Sequence, residues 1–281
     1  MDEKTDNFFL IHNYNTIPSN LVEMCNDHLI CDCSDKEGIK EELDLLKYNV
    51  KSIPNTGHNI TSYFSYFDEM YDNLPEVICL LKGNIVPRHL SKDYFDKVYD
   101  NKYFTFLYDE KQYWDRYSKF TRDGKRVEES NGTFLAMENV YVEENTSWYV
   151  KSENHPNQYF DDTDDLLRFI YKDPMIPRYY MFAPGACYIV RKEQILKHSR
   201  IFYRNLNKLM DYGIAPHFPS EAHMVERILP IIFTSTCETN EWMDIEELFD
   251  KKLPECSEYI RYKFENRPRR FKKIRKMLGL I

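Results

Sequence analysis

Five consecutive apolar residues, Val77 to Leu81 in EVICLLKGN, leave no polar side for water. Such a run suits a strand covered on both faces, as in a parallel sheet. FFLIHNY (8–14) reads the same way, as a first strand ending in polar groups. Between them the period changes back and forth. SNLVEMCNDHL (19–29) has helical spacing with Ser19 or Asn20 as N-cap, and LICDC (29–33) reads as a second strand. DKEGIKEELDLLKY (35–48) is a second helix with Leu43 and Leu46 on one side, and YNVKSIP (48–54) is a third strand. Ile60, Tyr63, Phe64 and Phe67 then recur at i, i+3, i+4 and i+7, the single stripe of a helix lying on a sheet. Asn73-Leu74-Pro75 closes that helix, because a residue before proline is pushed out of the α region. This alternation predicts an α/β fold with a doubly wound, mostly parallel sheet.

From about 113 to 152 the pattern turns to hairpins. Asp123-Gly124 and Asn131-Gly132 lie between strand-like segments, and VYVEENTSWYV (140–150) reads as a further hairpin, so an antiparallel meander is appended. ACYIV (186–190) is one more strand, followed by a single helical stretch RKEQILKHSRIFYRNLNKLM (191–210). In SEAHMVERILP (220–230) Ser220 is the N-cap and Pro230 is expected to end the helix near Leu229.

The length of 281 residues supports one large domain, taken as 1–260, followed by a basic amphipathic helix over 261–281. Seven cysteines without a C-x-x-C pair argue against a disulfide framework and against a zinc site. An acidic start, MDEKTDN, and no apolar run near the ~20 residues of a membrane span predict a soluble, cytoplasmic protein. The net charge of −8 hides an asymmetry: residues 261–276 carry nine Lys or Arg and one acid, so the remainder sums to −16. A body this acidic is a poor general nucleic-acid binder. The tail, with Phe271, Ile274, Met277, Leu278 and Ile281 among its basic residues, permits a solvated helix, peripheral contact with an anionic membrane, or neutralisation of phosphates.

Several short constellations carry chemistry, each beside a plainer role. Lys82-Gly83-Asn84 ends the apolar strand, at the carboxyl end where open α/β folds bind ligands. Asn55-Thr56-Gly57 lies between a strand and a helix, where it is either an ordinary turn or a place for a ligand to approach the backbone and the helix N-terminus. DDTDD (161–165) resembles an aspartate metal motif, with Asp162 and Asp164 as ligands, but it opens a helix that Thr163 can cap. Glu221 heads the inward stripe with Val225 and Ile228, so partial desolvation would suit it to act as a general base; Glu226 points roughly the other way, and His223 is read as structural or at the surface. Gly185 allows close approach of a substrate or serves a turn, and Trp148 and Tyr149 either stack on sugar rings or belong to the core.

The segments IPNTGHNITSYFSYFDEMYDNLPEVICLLKGN, FAPGACYIVRKEQILKHSRIFYRNLNKLM and HMVERILPIIF together resemble an uncharacterised family found in fungi and in surface-polysaccharide gene clusters, whose members look like small GT-A glycosyltransferases. The layout is also similar to the branching N-acetylglucosaminyltransferases and peptide xylosyltransferases, which work without a metal. That resemblance implies a nucleotide-binding half over 1–110 and an acceptor half over 111–260. It implies transfer of a sugar from a UDP-sugar to a glycan hydroxyl with inversion, and no cofactor. His12, Asn13, Tyr14, Asn55, Thr56, Gly57, Lys82, Gly83 and Asn84 would receive the nucleotide, and Arg267, Arg269, Arg270 and Lys272 the diphosphate. Trp148 and Gly185 would face the acceptor, and Glu221, with Glu226 as rival, would take its proton. The competing expectations are a transferase using Mn2+ or Mg2+ on Asp162 and Asp164, and a non-catalytic glycan-binding or assembly protein.

Overall fold

A computed structural model describes residues 4–109, 140–144, 159–210 and 220–240. The chain is α/β, with a six-stranded mixed sheet flanked by helices. In chain order the strands are β1 (Phe8–Asn13), β2 (His28–Asp32), β3 (Val50–Ser52), β4 (Val77–Lys82), β5 (Thr105–Phe106), β6 (Tyr141–Glu144), β7 (Tyr179–Phe182) and β8 (Tyr188–Arg191). The helices are α1 (Ser19–Val22), α2 (Ile39–Leu45), α3 (His58–Met70), α4 (Ile85–Arg88), α5 (Lys92–Val98), α6 (Thr163–Ile170), α7 (Lys192–Ile195), α8 (Arg200–Leu209) and α9 (Ser220–Thr234).

The main sheet runs β3-β2-β1-β4-β8-β5, with β3, β2, β1 and β4 mutually parallel and β8 antiparallel to both its neighbours. The chain lays β2 and β3 on one side of β1 and returns to place β4 on the other, so the winding reverses between β1 and β4. The apolar runs behave as their composition requires. Phe8, Leu10, Ile78 and Leu80 pack into the layer of α3, α8 and α9, while Phe9, Ile11, Cys79 and Leu81 pack into that of α1, α2 and α5. Every one of these strand positions is therefore covered, which is why no alternation is visible in the sequence.

Several expected boundaries shift for physical reasons. α9 does not stop at Leu229 but continues through Pro230 to Thr234. Proline inside a helix costs about 3 kcal/mol, whereas Ile232 and Phe233 are fully buried and each such burial is worth ~1.5–3 kcal/mol, so burial prevails. The stretch after β8 is two helices rather than one, because Ser199 caps α8, its Oγ accepting the Phe202 N–H at 3.3 Å. α6 is capped by Asp162 rather than Thr163, its Oδ1 accepting the Asp165 N–H at 3.0 Å. α1 is a single turn of four residues with no side-chain cap. Of the expected meander, Tyr141–Glu144 is a strand, and it pairs antiparallel with the distant β7. The Asp123-Gly124 and Asn131-Gly132 turns and the basic C-terminal helix lie outside the described residues. Among the described residues no helix is long and apolar enough to cross a membrane.

Candidate functional site

The carboxyl ends of β1 and β4 open into a cleft of about 530 Å³, closed on the far side by α9. Its position follows from the winding: where neighbouring strands leave in opposite directions, their connecting helices diverge and a crevice remains. Parity sets its floor. His12 and Lys82 are direct partners in the β1–β4 register, and both continue the face bearing Leu10 and Leu80, so they stand side by side beneath α3 and α9. Imidazole Nδ1 of His12 lies 2.8 Å from Ser62 Oγ on α3. Burial, then the charges of Lys82 and His58, push the proton affinity of His12 down to about 3, which leaves the ring neutral at physiological pH. Lys82 is itself lowered from the ordinary lysine value by burial, against the opposing pull of Cys187 and Glu226.

Around this pair the loops after three parallel strands converge. Tyr14 and Thr16 follow β1, Asn55 and Gly57 follow β3, and Gly83 and Asn84 follow β4. Gly83 is held tightly: its N–H donates to the His12 carbonyl at 2.9 Å, and a Cβ would meet Thr16 Oγ1 at 2.5 Å and Asn13 Oδ1 at 2.6 Å. Asn13 is fully buried and braces the loops rather than lining the cleft, donating to Asp32 Oδ1 at 2.8 Å. Thr56 likewise stays behind the cleft wall, its hydroxyl 3.3 Å from that of Thr61. Asn55 does line the cleft; its Oδ1 is buried and accepts no hydrogen bond from the described residues. Such an acceptor is costly unless a donor reaches it. At the mouth, the exposed Tyr14 donates to Asp35 Oδ2 at 2.8 Å, which holds its ring at the rim.

The α9 wall separates the two glutamates. Glu221 is fully buried on the core side, with Oε1 accepting the Tyr159 N–H at 2.7 Å, and is not a cleft residue. Glu226 lines the cleft, and its Oε1 accepts the Gly185 N–H at 2.6 Å. Its Oε2 lies 3.3 Å from Arg227 Nη1 and 3.9 Å from His223 Nδ1. Burial alone would raise the Glu226 proton affinity, but the nearby His223 and the charges of Arg227 and Lys82 outweigh it and hold the group at about 2. A carboxylate so low is fully ionised at neutral pH and accepts protons poorly.

No family model, curated protein or solved structure matches this chain.

The expected site is therefore brought together in part. His12, Tyr14, Asn55, Gly57, Lys82, Gly83, Asn84 and Glu226 share one cleft. Gly185 is buried behind Glu226, and the space its side chain would fill is taken by the His89 ring. Asp162 and Asp164 lie away from the cleft, one as a helix cap and the other accepting from the Tyr180 hydroxyl at 2.8 Å. Among the described residues no group of three or more His, Cys, Asp or Glu side chains is arranged to hold a metal ion. Trp148, Arg267, Arg269, Arg270 and Lys272 lie outside the described residues. Sequence reasoning passed over His58 and Arg88 and read His223 as structural or at the surface, yet all three line the cleft. A signal existed for two of them: His58 directly follows the Gly57 turn, and His223 precedes Glu226 by three, one helical turn.

Proposed function

We propose that this chain is a GT-A-like glycosyltransferase, moving a sugar from a UDP-sugar to a hydroxyl of a glycan with inversion and without a metal ion. The observation that carries the reading is the Lys82–His12 pair, in register at the carboxyl ends of two parallel strands where the winding reverses, close to the start of the 13-residue α3. An ammonium in that place, with the positive end of a helix beside it, suits the phosphates of a nucleotide. Tyr14 at the rim offers a ring for the base, and the buried Asn55 Oδ1 offers an acceptor for a base N–H or a ribose hydroxyl.

In the proposed reaction the acceptor oxygen attacks the anomeric carbon as its bond to the diphosphate breaks. The departing diphosphate carries the electron pair, and its charge is met by Lys82, with Arg88 at the cleft edge. The tail residues Arg267, Arg269, Arg270 and Lys272 would add to this if the tail folds over the cleft. A cytoplasmic enzyme with peripheral membrane contact through that tail fits the same reading.

The test is thermal stabilisation by UDP-glucose, UDP-galactose, UDP-xylose and UDP-N-acetylglucosamine, each in EDTA and in manganese. At least one donor should raise the melting temperature in EDTA, as ligand linkage requires, and Lys82→Met should abolish the shift. Stabilisation seen only with manganese would favour the metal-dependent alternative. Binding of oligosaccharide without binding of any nucleotide would favour the non-catalytic one.

A further inference from the structure

We infer that this cleft takes a donor whose sugar is neutral and hydroxyl-bearing and turns away a uronic acid, with Glu226 as the residue that discriminates between them. This inference rests on the transferase reading and names the class of sugar within it. Glu226 lines the cleft on the α9 wall, across from Lys82 at the end of β4. Lys82 would hold the diphosphate, and the sugar is bonded to the second phosphate, so its ring must lie close to the charge that Lys82 meets. The space there is bounded by Glu226, and each of the two side chains feels the other's charge.

The Glu226 carboxylate is held in a fixed place. Its Oε1 accepts the Gly185 N–H at 2.6 Å and its Oε2 accepts from Arg227 Nη1 at 3.3 Å, while His223 Nδ1, at 3.9 Å, is beyond hydrogen-bond reach. A carboxylate offers about four acceptor positions, so one protein donor on each oxygen leaves capacity for a ligand. Arg227 is the more deeply placed of the pair: its side chain is 6 % exposed against 18 % for Glu226, its Nη1 also donates to the His223 carbonyl at 2.9 Å, and its guanidinium lies 4.7 Å over the Phe182 ring. A ligand in the cleft therefore meets the anion before the cation.

A sugar hydroxyl and a uronate answer that anion in opposite ways. The hydroxyl donates its proton to the ionised carboxylate, a charge-assisted bond. The uronate is itself ionised at neutral pH and has only acceptors, so it brings no proton to the contact and sets two like charges in a partly enclosed space. Lys82 and Arg88, the cations that face the ligand from the β4 side, are taken by the diphosphate in this reading. Like charges so placed lower affinity by about 10–10³-fold.

The experiment measures calorimetric affinities in EDTA at neutral pH for UDP and for two matched pairs, UDP-glucose with UDP-glucuronate and UDP-galactose with UDP-galacturonate. Within each pair only the group on C5 differs, a hydroxymethyl against a carboxylate of nearly the same size. In wild type the uronate of at least one pair should bind about 10–10³-fold more weakly than its neutral partner. UDP-glucuronamide and UDP-galacturonamide, which keep the shape of the uronates without their charge, should bind like the neutral sugars. That comparison needs no variant, so it stands whether or not a substituted chain folds. Glu226→Gln, which keeps an acceptor for the Gly185 N–H, should close the gap to within about threefold by removing the like charge, and Glu226→Asp should keep it. Uronates that bind wild type as well as their neutral partners, amides as weak as the acids, or a gap that survives in Glu226→Gln would each overturn the inference while leaving the transferase reading intact. Wild type that binds neither UDP nor any UDP-sugar removes the transferase reading and this inference with it.

Discussion

Replacing Gly185 by alanine tests the geometry behind Glu226 most directly. Gly185 sits at φ +91°, where a side chain is strained, and an added Cβ would lie 2.7–2.9 Å from three atoms of the buried His89 ring. The backbone component costs about 1–2 kcal/mol, and forcing a methyl against a packed ring adds ~1–3 kcal/mol. Gly185→Ala should therefore lose about 2–5 kcal/mol, a large share of the ~5–15 kcal/mol that holds a typical domain. Both polar groups of Gly185 would be displaced, since its N–H donates to Glu226 and its carbonyl accepts from Asn59 Nδ2 at 2.7 Å. Urea unfolding gives the midpoint shift, and a cycle with His89→Ala separates the two components. The double variant should recover only the steric part, so the coupling should be ~1–3 kcal/mol. A loss below ~0.5 kcal/mol for Gly185→Ala, within the range of ordinary surface substitutions, would refute the turn, and strict additivity with His89→Ala would refute the ring contact.

Two further predictions concern charge and capping. His12 and His89 are each held at about 3, His12 by burial with Lys82 and His58 and His89 by burial with Lys82 and Arg88, against an ordinary value of 6.5. Between these limits the unfolded chain binds protons that the folded chain does not, so stability is complete above pH 6.5 and falls as pH drops towards 3. At pH 5 each histidine should account for about 2 kcal/mol of lost stability. His12→Gln and His89→Gln should each flatten the difference between unfolding at pH 7 and at pH 5, and an unchanged difference in both would contradict their neutral burial. Asp162→Ala removes the α6 cap and should cost ~0.5–2 kcal/mol without touching donor binding; a donor affinity that falls in this variant and responds to manganese would return the aspartates to the site.

Much of this architecture was legible beforehand because short-range pattern and burial agree. The doubly covered runs in β1 and β4 announced parallel strands, and the Ile60–Phe67 stripe announced α3. Since both strands end in polar residues, His12 and Lys82 could be named from the chain, and alternation put each on a definite face. The antiparallel insertion of β8 between β4 and β5 was not legible, because a strand as short as Tyr188–Arg191 carries no mark of its direction.

The chain by itself determined which residues share a face, since that depends only on the repeat of strand and helix. Which face meets the cleft was decided by the tertiary structure. α9 shows why: Glu221, Ala222, Met224, Val225, Arg227, Ile228 and Leu229 are all buried, so the helix is covered nearly all round and its period marks no unique outward side. Glu221 thus went to the core and Glu226, with His223, to the cleft, through packing against α3, α6 and β7 that no local pattern encodes. The proton affinities follow from the same cause, because they depend on which charges the fold brings near, and those charges come from β1, β4, α3 and α9, segments far apart along the chain.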